Sequence, residues 1–278
     1  MKAGLLSSLI PLMIFLLLGN GTFGIIKKKA NAEIPDKAQS EVEIIVLMDN
    51  HPFREDLEKR WGFSCLVRGT EKTILFDTGP SAPALLRNMK KMDVDPKEVD
   101  VVVLSHIHSD HTGGLDGFLQ VNADVVVYLP ASFPESIKAV IHSHGADFVE
   151  VSEPLKICAD AYSSGEIKSG LEQSLIVYTA MGTVVITGCA HPGIVNILKK
   201  NQNLKKANLL LVMGGFHLLS EYHDTIKHVV SSFKELGVRY VGLGHCSGNK
   251  ARKLFEASYR SRLLDIGVGR IIKLNDLT

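Results

Sequence analysis

The fold class read from this sequence is mixed α and β, with sheets in the middle and helices outside. Three observations carry it. Short runs rich in β-branched residues recur between residues 42 and 274, bounded by Gly, Asp or Asn. Amphipathic stretches of helical period fall between many of them. Strands both cluster and alternate with helices, which puts the sheets centrally and the helices on the outer faces. Without tandem repeats, low-complexity tracts or an internal linker, 41–278 is expected to be one domain.

In chain order, the first strand is "VEIIVLM" (42–48), followed by "GFSCLVR" (62–68) and "KTILF" (72–76). The segment "APALLRNMKKM" has helical spacing, and the valine-rich runs "DVVVL" (100–104) and "DVVVYL" (124–129) are strands on either side of a histidine-rich loop. A helix at "ESIKAVIHSH" precedes the strands "SLIVYT" (174–179) and "TVVIT" (183–187). The helix "IVNILKKN" then leads to the strand "NLLLVM" (208–213), and "DTIKHVVSSFKEL" to "YVGLG" (240–244). The helix "ARKLFEAS" and the strand "RIIKL" (270–274) complete the domain.

Residues 1–40 differ in kind. Met1-Lys2 is followed by a long apolar run, then by Lys27-Lys28-Lys29 and the small triplet Ala30-Asn31-Ala32. This is the pattern of an export signal or a membrane anchor. The triplet fits cleavage, whereas three lysines just before it fit an uncleaved anchor. The protein is therefore expected to be exported, periplasmic or extracellular, or else anchored to a membrane by this segment alone. If the lysines stay in the cytoplasm, the domain stays there too.

Among 278 residues, 45% are hydrophobic, enough for a substantial core, and the formal net charge is +1. No basic block is present to neutralise a phosphate backbone, which argues against nucleic acid and leaves a small molecule as the expected partner. Nothing in the sequence sets an oligomeric state. Four cysteines, Cys65, Cys158, Cys189 and Cys246, are too few for a disulfide scaffold and lack CxxC spacing.

Four strands run straight into a histidine: "VVVLSHIHSDH", "VVITGCAH", "LLLVMGGFH" and "YVGLGH". Loops at one end of a sheet converge when their strands run the same way. His106, His108, Asp110, His111, His191, His217 and His245 are thus candidate metal ligands meeting at one sheet edge. In an extended loop, residues two apart face the same way, so His106 and His108 can share one ion. Asp110 and His111, being adjacent, are expected to point apart and serve a second position. Imidazole with carboxylate suits zinc, one or two ions, and also iron or manganese. His51 is close enough to a strand end to reach the site, while His142, His144, His223 and His228 have no ligand spacing.

The segments "HIHSDH" and, upstream, "ILFDTG" (74–79) together resemble the metallo-β-lactamase fold superfamily. "EQSLIVYTAMGTVVITGCAHPGIVNIL", "GGFHL" and "GHCSG" resemble its branch of dihydropterin ribofuranosyl-aminobenzene-phosphate synthase-like proteins. This resemblance implies an αββα sandwich, two mixed β-sheets face to face with helices outside. It implies one metal on His106, His108 and His191 and a second on Asp110, His111 and His245. It places Asp77 behind the ligands, orienting the histidine loop. The superfamily's hydrolases usually carry a bridging aspartate after the strand that here reads "NLLLVM"; this chain has Gly214-Gly215-Phe216-His217 instead. His217 then either becomes a terminal ligand or contacts substrate.

The reaction expected first is hydrolysis of an ester, phosphoester or similar bond by metal-bound hydroxide, with Asp110 orienting it and His217 or a second metal stabilising charge. A synthase or transferase acting on a dihydropterin or ribosyl-phosphate substrate, and a non-catalytic binding protein, are the alternatives. Pro192 and Gly193 begin the helix after His191, so backbone N–H groups there, at Gly193, are candidate substrate contacts. Cys189 and Cys246 flank ligand histidines and are expected behind them, as a redox-sensitive thiol pair, a disulfide or inert buried residues.

Overall fold

In the computed structural model, residues 42–200 and 208–277 are described. The amino-terminal signal or anchor expected at 1–40 lies outside them, and among the described residues no helix is long and apolar enough to cross a membrane.

Among the described residues, fourteen strands build two sheets of seven. The first sheet holds β1 (Glu43–Met48), β2 (Ser64–Arg68), β3 (Ile74–Phe76), β4 (Val101–Val103), β5 (Val126–Pro130) and β6 (Asp147–Val151). The second holds β7 (Leu155–Lys156), β8 (Ala161–Ser163), β9 (Leu175–Thr179), β10 (Gly182–Thr187), β11 (Leu209–Gly215), β12 (Tyr240–Gly244) and β13 (Leu263–Asp265). The last strand, β14 (Ile271–Lys273), returns to the first sheet beside β1.

The two-residue side-chain period of a strand explains the layering. Ile44, Val46, Val101, Val103, Val184, Ile186, Leu211 and Met213 face inward and form the core between the sheets. Their chain neighbours face outward: Ile45, Leu47 and Val102 pack with Leu85, Met89, Phe118 and Ile141. On the other side, Val185, Val212 and Val241 pack with Ile197, Ile226, Phe233 and Phe255. Because both faces are covered, these strands read as unbroken apolar runs.

The covering helices are α1 (Ala82–Lys91), α3 (Leu115–Val121) and α4 (Glu135–Ser143) on the first sheet, and α5 (Ile194–Lys200), α6 (His223–Glu235) and α7 (Gly248–Tyr259) on the second. A single helical turn, α2 (Ser109–Thr112), holds part of the histidine loop. The architecture is the expected αββα sandwich.

Four strands and two helices escape the sequence pattern. β6 is an edge strand with acids at Asp147 and Glu150, so its burial is partial and its apolar alternation weak. β7, β8 and β13 have two or three residues each, and α2 and α3 are too short to show a helical period.

Candidate metal centre

One edge of the sandwich gathers the functional loops. β3, β4 and β5 are mutually parallel, as are β10 to β13, and β1 has the sense of β3 because both are antiparallel to β2. The loops after β1, β3, β4, β10, β11 and β12 therefore leave from this edge. The antiparallel strands β2 and β9 enter at it, which brings in Trp61 and Glu172.

Two sets of three donors converge there. His106, His108 and His191 bring one ligand atom each within 4.8 Å of the others, and so do Asp110, His111 and His245. His106 Nε2 lies 3.1 Å from His108 Nδ1. In the second set, His111 Nε2 is 3.3 Å from His245 Nε2, and Asp110 Oδ2 is 3.2 Å from His245 Nε2 and 3.7 Å from His111 Nε2.

Hydrogen bonds on the far side of each ring decide what the near side offers. Buried Asp77 accepts from the Ser105 N–H, the Ser105 hydroxyl and His111 Nδ1, each at 2.7 Å. With its proton spent on Asp77, the Ser105 hydroxyl accepts from His106 Nδ1 at 2.9 Å. Glu172 accepts from His191 Nδ1 at 2.9 Å, and Asn50 Oδ1 from His245 Nδ1 at 3.1 Å. In four imidazoles Nδ1 is thus the donor and Nε2 the atom turned into the site.

This donor set fits a metal. Lone pairs about 3.3 Å apart repel one another unless a cation sits between them, and two nitrogens about 2.05 Å from one tetrahedral zinc are themselves separated by about 3.3 Å. The observed 3.1–3.3 Å separations are those of neighbouring ligands on a shared ion.

Expectations about individual residues divide. The ligand atoms of His106 and His108 are brought together with that of His191. Asp110 and His111 do not point apart: they lie on α2, where successive residues are about 100° apart rather than opposed, and both face His245. Gly193 is not a free donor, because its N–H is bonded to the Ala190 carbonyl at 2.8 Å. His217 joins neither set of three; its ligand atom groups with the sulfurs of Cys189 and Cys246, and its ring centroid is 4.7 Å from that of His191. Cys189 and Cys246 are adjacent buried free thiols, not a disulfide. His51 is in no donor group, and His144 is paired with Asp116 at 2.7 Å.

Sequence reasoning missed several supports. Glu172, 1% exposed, accepts the backbone N–H groups of Cys189, Ala190 and His191 at 2.8–2.9 Å besides the His191 ring. Asp49 accepts the His245 N–H at 2.9 Å. Trp61 packs edge-on against His245, with ring centroids 4.8 Å apart. Backbone strain concentrates here as well: Asp77, Ala190, His217 and His245 all hold φ between 44° and 60°, a region unfavourable for side-chain-bearing residues.

Electrostatics follow from burial. Burial, then neighbouring histidines, lower His106 and His111 to about 3, whereas burial raises Asp77 to about 7 and Asp49 to about 6. Burial also opposes the charge on Glu172, but the His191 ring, nearby His106 and the backbone N–H groups prevail and hold it at about 2. Below about pH 6.5 the unfolded chain charges His106 and His111, which costs folded stability as the pH falls. Down to about pH 4, proton uptake by folded Asp77 and Asp49 offsets that cost. Below about pH 4 no offset remains and Glu172 adds to the loss. Urea denaturation of chelator-treated protein is expected to give a nearly flat midpoint from about pH 7 to 5 and a steep decline below about pH 4. A decline spread evenly from pH 7 downward would contradict this balance.

Comparison with known proteins agrees with the geometry. The family model for the metallo-β-lactamase superfamily matches residues 62–143. The 7,8-dihydropterin-6-methyl-4-(β-D-ribofuranosyl)-aminobenzene-5'-phosphate synthase of Methanocaldococcus jannaschii is 30% identical over 262 residues, covering 76% of this chain and 89% of the relative. A solved metal-dependent hydrolase of the β-lactamase superfamily is 30% identical, with a TM-score of 0.71 over 83% of this chain and 98% of that one. A metallo-β-lactamase fold protein from Bacillus subtilis, 17% identical, shares the fold with a TM-score of 0.64 over 84% of this chain and all of its own. Two seven-stranded sheets with a histidine-lined edge, and two relatives at 30% identity along nearly their whole length, make this chain a member of the metallo-β-lactamase superfamily, similar to its dihydropterin ribofuranosyl-aminobenzene-phosphate synthase branch.

Proposed function

We propose that this protein is a metal-dependent enzyme that joins small molecules by group transfer, with a flat dihydropterin-type ring as one substrate and a phosphorylated ribosyl-aminobenzene as the other. The observation that carries this reading is an apolar rim around the two donor sets. Of eight exposed large hydrophobics among the described residues, six stand in these loops: Phe53, Trp61, Ile107, Leu171, Leu219 and Tyr222. Such a rim suits the face of a planar ring. The Methanocaldococcus jannaschii relative, by its name, makes a product of these two parts.

Metal ions held by His106, His108 and His191 and by Asp110, His111 and His245 would supply Lewis acidity toward a phosphate or other oxyanion of the substrate. The chain's own groups then have separate tasks. Asp110, held well below the usual carboxylate range by His245 and His111 against partial burial, stays ionised and serves as ligand and anchor. His217, exposed beside His191, has its proton affinity raised by its side-chain hydrogen bond to Cys246, which suits it to give a proton to a departing oxyanion. Trp61 and Tyr222 stack or edge against the ring and exclude water from it.

The test is to supply metal-loaded protein with a 7,8-dihydropterin bearing a diphosphate ester on its 6-methyl carbon, together with 4-(β-D-ribofuranosyl)-aminobenzene 5'-phosphate. The amine then displaces diphosphate from that carbon, and mass spectrometry should detect the conjugate. Release of diphosphate to water without a conjugate would favour hydrolysis, the second reading, which the solved relative described as a metal-dependent hydrolase supports. Turnover of neither kind would count against both. Trp61→Ala is expected to raise KM for the ring-bearing substrate about tenfold, matching a contact of about 1.4 kcal/mol, with metal content unchanged. An unchanged KM would remove Trp61 from the substrate site.

A further inference from the structure

At the end of β11, where a bridging carboxylate is expected by resemblance, the backbone leaves no room for one. A β-carbon on Gly214, whose φ is +114°, would stand 2.0 Å from the Thr187 carbonyl oxygen. One on Gly215 would stand 2.3 Å from the Gly188 carbonyl oxygen and 2.8 Å from Cys246 Sγ. The sulfur standing there is that of Cys246, and the Cys189 backbone lies beside it, 3.2 Å from the Gly215 β-carbon position.

Cys189 Sγ is 3.3 Å from His111 Nε2, and it lies within 4.8 Å of ligand atoms from both His106 and His111. His106 belongs to one donor set and His111 to the other, so this sulfur is placed between the two positions. A thiolate about 2.3 Å and an imidazole nitrogen about 2.05 Å from one tetrahedral ion are about 3.5 Å apart, close to the separation observed. The residue is firmly held: its N–H donates to Glu172 Oε1 at 2.9 Å. Behind it, Cys246 Sγ accepts the His217 N–H at 3.3 Å and points its thiol at the Cys189 carbonyl, 3.7 Å away.

We propose that the Cys189 thiolate is the ligand shared by the two metal positions, in the place of the missing carboxylate, with Cys246 as the sulfur that supports it. Loading releases the Cys189 proton to water as the metal–sulfur bond forms, with no change of oxidation state. This rests on the metal centre and not on the group-transfer reading.

Titration of metal-free protein with cobalt(II), followed by absorption and by elemental analysis, tests it. The wild type and Cys246→Ser should both show a thiolate-to-cobalt charge-transfer band, and Cys189→Ser should lack it. Cys189→Asp, which restores a carboxylate, should bind two ions without the band. X-ray absorption of zinc-loaded wild type should show sulfur at about 2.3 Å, absent from Cys189→Ser. Circular dichroism checks folding, and the wild-type spectra carry the test if a variant fails to fold. Two bound ions without a sulfur signal in the wild type, or a band that survives in Cys189→Ser, would overturn the assignment. Failure to bind cobalt at all would overturn the metal centre itself, a separate result.

Discussion

Replacement of Glu172 by alanine is expected to cost about 3–5 kcal/mol of folding stability, among the largest effects of any single change outside the ligands. The carboxylate is buried and takes four hydrogen bonds, three of them from backbone N–H groups on consecutive residues, Cys189 to His191. Removing it leaves those donors without partners in a place where water has little access. Glu172→Gln should lose less, since its amide oxygen can still serve two of the backbone donors. Denaturant unfolding of metal-free protein separates the two variants; equal stability of alanine variant and wild type would mean that this loop is held by something else. The same change should also weaken the His106, His108 and His191 position, because the His191 ring loses the partner that fixes its tautomer.

Asp77→Ala should act on both metal positions at once. Through its direct bond to His111 the carboxylate orients one set, and through Ser105 it orients His106 in the other. Loss of an outer partner typically lowers metal affinity about 10- to 100-fold, and here that loss is expected at each position. Competition with a chromophoric chelator measures it. A variant that loses affinity at only one position would break the link through Ser105, and one that loses none would make Asp77 a purely structural residue.

How much of this was legible in the sequence depends on which end of a strand carries the residue. Valine-rich runs ending in histidine announce both the strands and the ligands, since a buried parallel strand is apolar throughout and its C-terminal loop is where a polar cluster stands out. Asp77 was reached through the resemblance of its "ILFDTG" setting. Glu172 and Trp61 come before antiparallel strands, and from sequence alone an acid or an aromatic at a strand start looks like ordinary loop composition. Asn50 and Asp49 follow β1 without any histidine ligand to mark them. The geometry of Asp110 and His111 is not legible for a local reason: a single helical turn leaves no periodicity that would distinguish it from an extended loop. Gly193 was misjudged because a turn consumed the N–H that helix logic left free. The two cysteines were placed near each other correctly, but only the packing around Gly215 reveals why sulfur stands there.

We propose that His106, His108 and His191 hold one metal ion while Asp110, His111 and His245 hold another. Elemental analysis of purified protein, after loading and removal of excess metal, tests it most directly. About two ions per chain are expected in the wild type, and one in either His108→Ala or Asp110→Ala, each emptying a different position. No tightly bound metal in the wild type, or two ions retained in both variants, would contradict it.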